Sequence, residues 1–305
     1  MRALLRNAGL TITLLQGDAA PSDETRIKNP TSSPIWVHGI RFGLVAASGS
    51  VLSGLGGAIG VKMNLGQTPL MQSYVPLWLL RTQTTDAELI TQNSKFIYRY
   101  TWMFRKPLLM LPGQYLSPLF NYPGMLSGTD PATVAVQMTM LADIAESVPQ
   151  TVSVPWACSF AAQKTVAGTA ALALPESRRT DLFNPHDFPL HIDRLTGRIM
   201  INQLDGDDEY ATGVSTYPSA NTNVRMFRED GSAIIRDPTA FAHAFSQPLK
   251  AWRMEGCVMP PRSYYQAVID VDYSDSTAYG ADAVIQPMIG LLGYRDIPLS
   301  QLGKG

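Results

Sequence analysis

Charge is scarce in this chain: 16% of its 305 residues are Asp, Glu, Lys or Arg, against about a quarter in ordinary soluble proteins. Charges normally sit on exposed surface, so the shortage predicts that other subunits cover much of it. The net charge of −1 leaves no overall basic excess to hold nucleic acid by neutralising its phosphates. Cysteine is almost absent. Cys158 and Cys257 lie 99 residues apart with no partner at metal-ligand spacing, so a disulfide framework is excluded and a reducing compartment fits.

Catalytic signatures are missing as well. The four histidines, His38, His186, His191 and His243, show neither a His-Glu-x-x-His motif nor a repeated pair. That speaks against a hydrolytic metal centre and against a two-barrel cupin enzyme. There is no Gly-x-Ser-x-Gly elbow, and the glycines at 54–60 lack the Gly-Lys-Ser/Thr ending of a phosphate-binding loop. Phe42 to Val61 is uncharged for 20 residues, but six glycines and three serines make it a poor membrane helix. It reads as strand, Gly-rich loop, strand. The expectation is a non-enzyme with no cofactor and no metal. One weak exception is the acidic run Asp205-Gly206-Asp207-Asp208-Glu209, where alternating carboxylates suit a solvated turn or a calcium cage.

What the chain does have is turns and a repeat. Its 22 prolines and 24 glycines punctuate short strands. Asn29-Pro30 followed by Pro34-Ile-Trp-Val-His-Gly-Ile40 matches Asn184-Pro185 followed by Pro189-Leu-His-Ile-Asp-Arg-Leu195. Trp102, Met110-Leu-Pro112 and Tyr115 then match Trp252, Met259-Pro-Pro261 and Tyr264. A third pairing sets Ala135-Val-Gln137 against Val284-Ile-Gln286. The matches keep their order at offsets near 150 residues, too long for a solenoid unit. The unit repeated is a domain.

The expected layout is an N-terminal arm over 1–28, a first unit over 29–147, a connector over 148–179, a second unit over 180–294 and a tail over 295–305. The arm is short, basic and apolar rather than secretory, with Arg2 and Arg6 as candidates to face an anionic surface, lipid or genome. Expected strands include Ile35–Val45, Ile59–Leu65, Val75–Leu80, Phe96–Phe104, Leu108–Leu111, Tyr115–Tyr122 and Thr133–Leu141, with a helical turn near Thr84–Asn93. In the second unit they are Leu190–Leu195, Ile199–Gln203, Asn223–Arg228, Leu249–Met254, Tyr265–Tyr273 and Ala283–Leu291. The Ala-rich stretch Ala157–Ala173 reads as a helix or strap between the units. Two units of seven or eight short strands with irregular loops predict an all-β protein of two tandem jelly rolls, eight-stranded sandwiches or barrels, behind a short N-terminal arm.

The two Met-x-Pro-x-x-Tyr segments (Met110–Tyr115 and Met259–Tyr264), each before a strand, and the closing Ile285-Gln-Pro-Met-Ile-Gly-Leu-Leu-Gly293 resemble features of double jelly-roll major capsid proteins. Those build tailless icosahedral phages, often membrane-containing, and adenovirus-like viruses. The resemblance implies a homotrimeric, pseudo-hexameric capsomer tiling a virion shell, assembled in the host cytoplasm. Its implied partners are further copies of the chain, penton and minor capsid proteins, with an internal lipid membrane left open, and no sequence-specific nucleic acid. The alternatives are another virion component, such as a spike or fibre base, and a carbohydrate-binding jelly-roll module using Tyr210, Tyr217 and Trp252.

Overall fold

The computed structural model describes residues 9–15, 26–46, 57, 59–82, 90–92, 95–122, 133–161, 164–165, 176–202, 222–240, 252–271 and 284–303. In the N-terminal half these form β1 (Gly9–Leu15), β2 (Ile27–Lys28), β3 (Ile35–Ala46), β4 (Gly60–Leu65), β5 (Thr68–Pro69), β6 (Val75–Pro76), β7 (Ile90–Gln92), β8 (Lys95–Met110), β9 (Tyr115–Asn121) and β10 (Thr133–Ile144). The C-terminal half adds β11 (Thr151–Ala161), β12 (Lys164–Thr165), β13 (Glu176–Phe183), β14 (Leu190–Asn202), β15 (Thr222–Arg228), β16 (Ala233–Ala240), β17 (Trp252–Met259), β18 (Tyr264–Val271) and β19 (Val284–Pro298).

Strand order defines the fold. The first unit has one sheet ordered β1-β10-β3-β8-β7 and a second ordered β2-β9-β4-β5, with β6 also on β4. The second unit has β11-β19-β14-β17, with β12 on β19, facing β13-β18-β15-β16. Lettered B to I along each unit, both give the orders B-I-D-G and C-H-E-F. That is the jelly roll, and the chain contains it twice in tandem.

Alternation builds each sandwich. In β9 and β10 every second side chain is buried, as a strand with one covered face requires. Phe42 on β3 meets Phe120 on β9 edge to face, with ring centroids 6.4 Å apart, which joins the two sheets of the first unit. Trp156, Leu195, Met226, Tyr265 and Leu291 sit in the core of the second.

The strand pairing redraws the expected boundaries. Residues 9–15 and 27–28, assigned to the arm, pair with β10 and β9 as strands B and C. The connector supplies β11 and the first half of β13, the same two strands of the second unit. Thr151-Val-Ser-Val-Pro-Trp-Ala-Cys-Ser-Phe carries a period-two pattern that the Ala-rich stretch running on from Ala157 obscures. Residues Arg295–Pro298 of the expected tail complete β19. Val75–Leu80 is a strand only as far as Pro76. Leu77–Leu80 turns into a 3-10 helix that buries Leu77, Leu79 and Leu80. Residues 90–92, expected near a helical turn, pair with β8 as β7. The two pairs of shorter strands expected at 96–111 and 190–203 merge into the continuous β8 and β14. β16 was not expected at all.

Candidate functional site

The seam between the two barrels joins apolar and polar contacts from both units. On β11, β14 and β19, Cys158, Leu195, Ile289 and Leu291 point into the second core. Their neighbours Ala157, Thr196, Gly290 and Leu292 therefore line the outer face of that B-I-D-G sheet. The first unit lays its E–F segment, residues 69–82, across this face. Ala157 N donates to Leu70 O at 3.0 Å, and Met71 bridges to Ala157 in parallel. Thr196 Oγ1 donates to Leu79 O at 3.0 Å. Gly290 is required here, because a Cβ would stand 2.7 Å from Thr196 Oγ1 and 3.0 Å from Leu79 Cβ. Leu70, Met71, Leu77 and Leu79 share one buried cluster with Ala157, Met288 and Leu292. The two sandwiches thus share a core, unlike the mostly polar contacts of independent domains.

Polar contacts frame this apolar centre. Arg295, 3% exposed, donates from Nη2 to Pro69 O at 2.8 Å and from Nη1 to His186 Nε2 at 3.0 Å. A ring nitrogen that accepts from a guanidinium must be unprotonated. Burial first, and then the Arg295 charge, accordingly push the His186 pKa down to about 4. Burial lowers the Arg295 guanidinium to about 10. At the edge, Lys106 Nζ lies 3.0 Å from Asp296 Oδ2 and 4.3 Å over the Tyr294 ring. Ser153 Oγ also donates to Asp296. Arg194 Nη1 reaches Thr82 O at 3.3 Å.

The duplicated Asn-Pro motif is a structural clamp at the start of each strand D. Asn29 Nδ2 donates to Ser33 O at 2.9 Å and to Met110 O at 3.1 Å. Its Oδ1 accepts from Thr31 N at 2.9 Å. Asn184 repeats this with Phe188 O at 3.0 Å, Met259 O at 3.4 Å and His186 N at 3.0 Å, and adds Pro260 O at 2.9 Å. The backbone N–H groups of Asn29 and Asn184 also match, donating to Gln114 O and Ser263 O. Each asparagine thus ties the C–D turn to the G–H turn, which explains why Asn-Pro and Met-x-Pro recur together.

The bulges repeat too. Strand D skips one residue against G in both units, at His38 between Val37 and Gly39 and at Asp193 between Ile192 and Arg194. Opposite them, β8 leaves four residues, 104–107, out of register, whereas β17 leaves three, 254–256. This single residue changes the repeat offset from 150 at Trp102/Trp252 to 149 at Met110/Met259. The third sequence match falls on the right strand but out of register. Gly43 pairs with Gln137 and Arg198 with Met288, so Gln137 corresponds to Met288 and not to Gln286.

Arg2, Arg6, the Asp205–Glu209 run, Tyr210, Tyr217 and His243 lie outside the described residues. Tyr100 and Trp102 belong to the core, as their place on a strand suggested. Trp252 stands opposite Leu195 in the β14–β17 ladder. His38 Nε2 lies 3.0 Å from Asp143 Oδ1, and His191 stacks on Tyr294 with centroids 4.9 Å apart. Cys158 is buried among apolar neighbours, which drives its thiol pKa upward. Cys257 Sγ lies 3.2 Å from Tyr265 Oη. Among the described residues no three His, Cys, Asp or Glu side chains gather as a metal site, and no helix is long and apolar enough to cross a membrane. Sequence reasoning missed the seam residues Ala157, Thr196, Gly290 and Arg295, because nothing local marks an outward-facing small residue as an interface.

No protein-family model and no curated protein matches the chain. Solved structures do resemble it at low identity and over nearly full length. VP54 of PBCV-1, fitted into a reconstruction of the virophage Sputnik, is 8% identical at a TM-score of 0.42, covering 97% of this chain and 96% of that one. A chain of Sulfolobus Turreted Icosahedral Virus is 11% identical at 0.45, covering 96% and 92%. The mavirus major capsid protein is 8% identical at 0.37, covering 97% and 92%. The double jelly roll of this chain stands on its own strand order.

Proposed function

We propose that this chain is a major capsid protein whose two jelly rolls assemble, three chains at a time, into a pseudo-hexameric capsomer of an icosahedral virion. The observation that carries this is the direction of the seam. The E–F segment of one jelly roll covers the outer B-I-D-G face of the next, a head-to-tail contact between two copies of one fold. Heterologous contacts of this kind propagate until they close a ring. Within the chain the pattern stops half-used. On the first unit the equivalent outer face carries Thr11, Thr13, Gln137, Thr139 and Arg41, of which Thr11, Thr13 and Gln137 are exposed. On the second unit the equivalent F edge is β16, which among the described residues is bound on one side only and is exposed at Arg236, Asp237 and Pro238. A second copy can place its β16 edge on the free face of the first. Three chains give six lobes, a block that tiles a hexagonal lattice. Because the two copies differ in sequence, each lobe presents different contacts to its neighbours.

This reading accounts for the low charge, since most of the outer sheet faces end in contact. Penton and minor capsid proteins would fill the remaining lattice positions, assembly would take place in the host cytoplasm, and Arg2 and Arg6 would face an anionic lipid or genome surface. Each such arginine contributes about 1 kcal/mol, so the attraction relies on many copies. The test is the solution mass by light scattering. A particle near 100 kDa, three times the 33.3 kDa chain, with a six-lobed outline in negative stain supports the proposal. Gln137→Trp, on the exposed face, should then leave a folded monomer. A wild-type protein that stays monomeric at all concentrations and salt conditions refutes it and favours a spike component or a carbohydrate-binding module.

A further inference from the structure

Beside the seam, the two bulges frame a cleft of about 420 Å³. Three arginines converge on it from three strands: Arg105 of β8, Arg194 of β14 and Arg253 of β17. The first comes from one jelly roll and the other two from its neighbour. Among the described residues Asp193, 3.5 Å from Arg194 Nε, is the one carboxylate lining it. Arg105 and Arg253 are exposed, and among the described residues neither has an ion-pair partner. The three cations also feel one another. The Arg194 pKa is lowered first by burial, against the pull of Asp193, and further by the charges of Arg253 and Arg105. Like charges held this close oppose each other unless an anion joins them.

The fold alone does not dictate this arrangement. In the first unit the structurally equivalent positions of Asp193, Arg194 and Arg253 hold His38, Gly39 and Met103. The cationic trio belongs to the seam within one chain and has no counterpart at the first unit's own bulge.

We propose that this cleft binds a small multivalent oxyanion, of the pyrophosphate or tricarboxylate class, that bridges the two jelly rolls through Arg105, Arg194 and Arg253. Guanidinium groups match such ligands because their planar fork donates two parallel hydrogen bonds to one oxyanion. The number and placement of the cations select for a multivalent ligand, since guanidinium groups on two different units need several oxyanion oxygens to join them. Bridging also gives the ligand a role, since it removes the repulsion between Arg105 on one unit and Arg194 and Arg253 on the other. The site lies within one chain, so its failure would leave the assembly proposal standing.

The test is calorimetric titration of the full chain with pyrophosphate and, separately, with citrate, against sodium chloride at matched ionic strength. One saturable site per chain is expected, with a rise in melting temperature. Arg105→Ala and Arg253→Ala, both at exposed side chains, should weaken binding at least tenfold. Arg105→Lys should weaken it less, and the distant Lys62→Ala should leave it unchanged. Preference between the two probes distinguishes a phosphate from a carboxylate ligand. If chloride reproduces the stabilisation, or if the alanine variants bind like the wild type, the proposal is wrong.

Discussion

Replacing Asn184 by alanine tests whether the twin clamps hold each jelly roll together. Asn184 is fully buried and makes three well-formed side-chain hydrogen bonds, to Phe188 O, Pro260 O and from His186 N, plus a longer one to Met259 O. Each such bond contributes about 1 kcal/mol net, and partners left buried and unsatisfied cost about 1–3 kcal/mol each. Water can reach some of the turn, so the loss for Asn184→Ala should be about 3–4 kcal/mol. Asn29 makes a similar set but is 7% exposed, so Asn29→Ala should cost about 2–3 kcal/mol. Asn184→Asp is the sharper control. It keeps the acceptor for His186 N but sets a carboxylate against carbonyl oxygens, and should be at least as damaging as alanine. Urea denaturation followed by tryptophan fluorescence reads the effect. Because the two units share a core, one transition is expected, and both variants should move it. The two asparagines share no hydrogen-bond partner, so their costs should add within about 0.5 kcal/mol. An Asn184→Ala shift below about 0.5 kcal/mol, the size of an ordinary surface change, or an Asp variant as stable as the wild type, would refute the clamp.

Two further outcomes follow from the seam. Gly290→Ala places a Cβ 2.7 Å from Thr196 Oγ1 and 3.0 Å from Leu79 Cβ, so overpacking should cost about 1–3 kcal/mol and lower the calorimetric melting temperature; an unchanged melting temperature would show that the two units are not in contact there. Acid should also loosen the seam through His186, whose pKa falls to about 4 in the folded protein, through burial and then Arg295. Because that value lies below the unfolded 6.5, the stabilisation is complete above pH 6.5 and is lost as pH falls towards 4. Discounted for the exposed part of the ring, it amounts to about 1–2 kcal/mol. His186→Gln should flatten the urea midpoint between pH 7 and 4.5, and a slope equal to that of the wild type would count against the Arg295–His186 contact.

Much of this architecture was legible in the sequence. The all-β class, the tandem units and the equivalence of Asn29 with Asn184, Trp102 with Trp252 and Met110 with Met259 all follow from residues whose role is local. Asparagine clamps a turn, and the Met-x-Pro segment ends one strand and begins the next. Strands B and C were missed in both units, because β2 has only two residues and the Ala-rich composition around β11 hid its alternation. The bulges did leave a signal. Buried positions step by two through Ile35 and Val37, then by three to Ile40, and the same break separates Ile192 from Leu195. A phase slip at the same place in both copies marks a conserved geometry of the fold, not an irregularity of one strand. The seam itself was not legible. A glycine on a strand gives no hint of what presses against it from another unit, and Arg295 reads as a polar tail residue until Pro69 and His186 are beside it.

The differences between the copies locate where contact has already been made. Gly290, pressed under Leu79, corresponds to Thr139 in the first unit, half-buried on a face whose Thr11, Thr13 and Gln137 are exposed. Thr196, whose hydroxyl donates to Leu79 O, corresponds to Arg41, whose guanidinium donates to Thr101 Oγ1 on its own sheet. If the two outer faces met identical partners, matching side chains would serve both. Instead the covered face is small and tightly fitted, and the open face carries threonine, glutamine and arginine. Polar side chains of this kind tolerate water and still leave a flat sheet surface. A single jelly roll repeated six times would have to use one surface for every contact around the ring. Under the proposed assembly, two fused, non-identical copies would make one contact permanent, with a common core, and leave the other to be formed between chains.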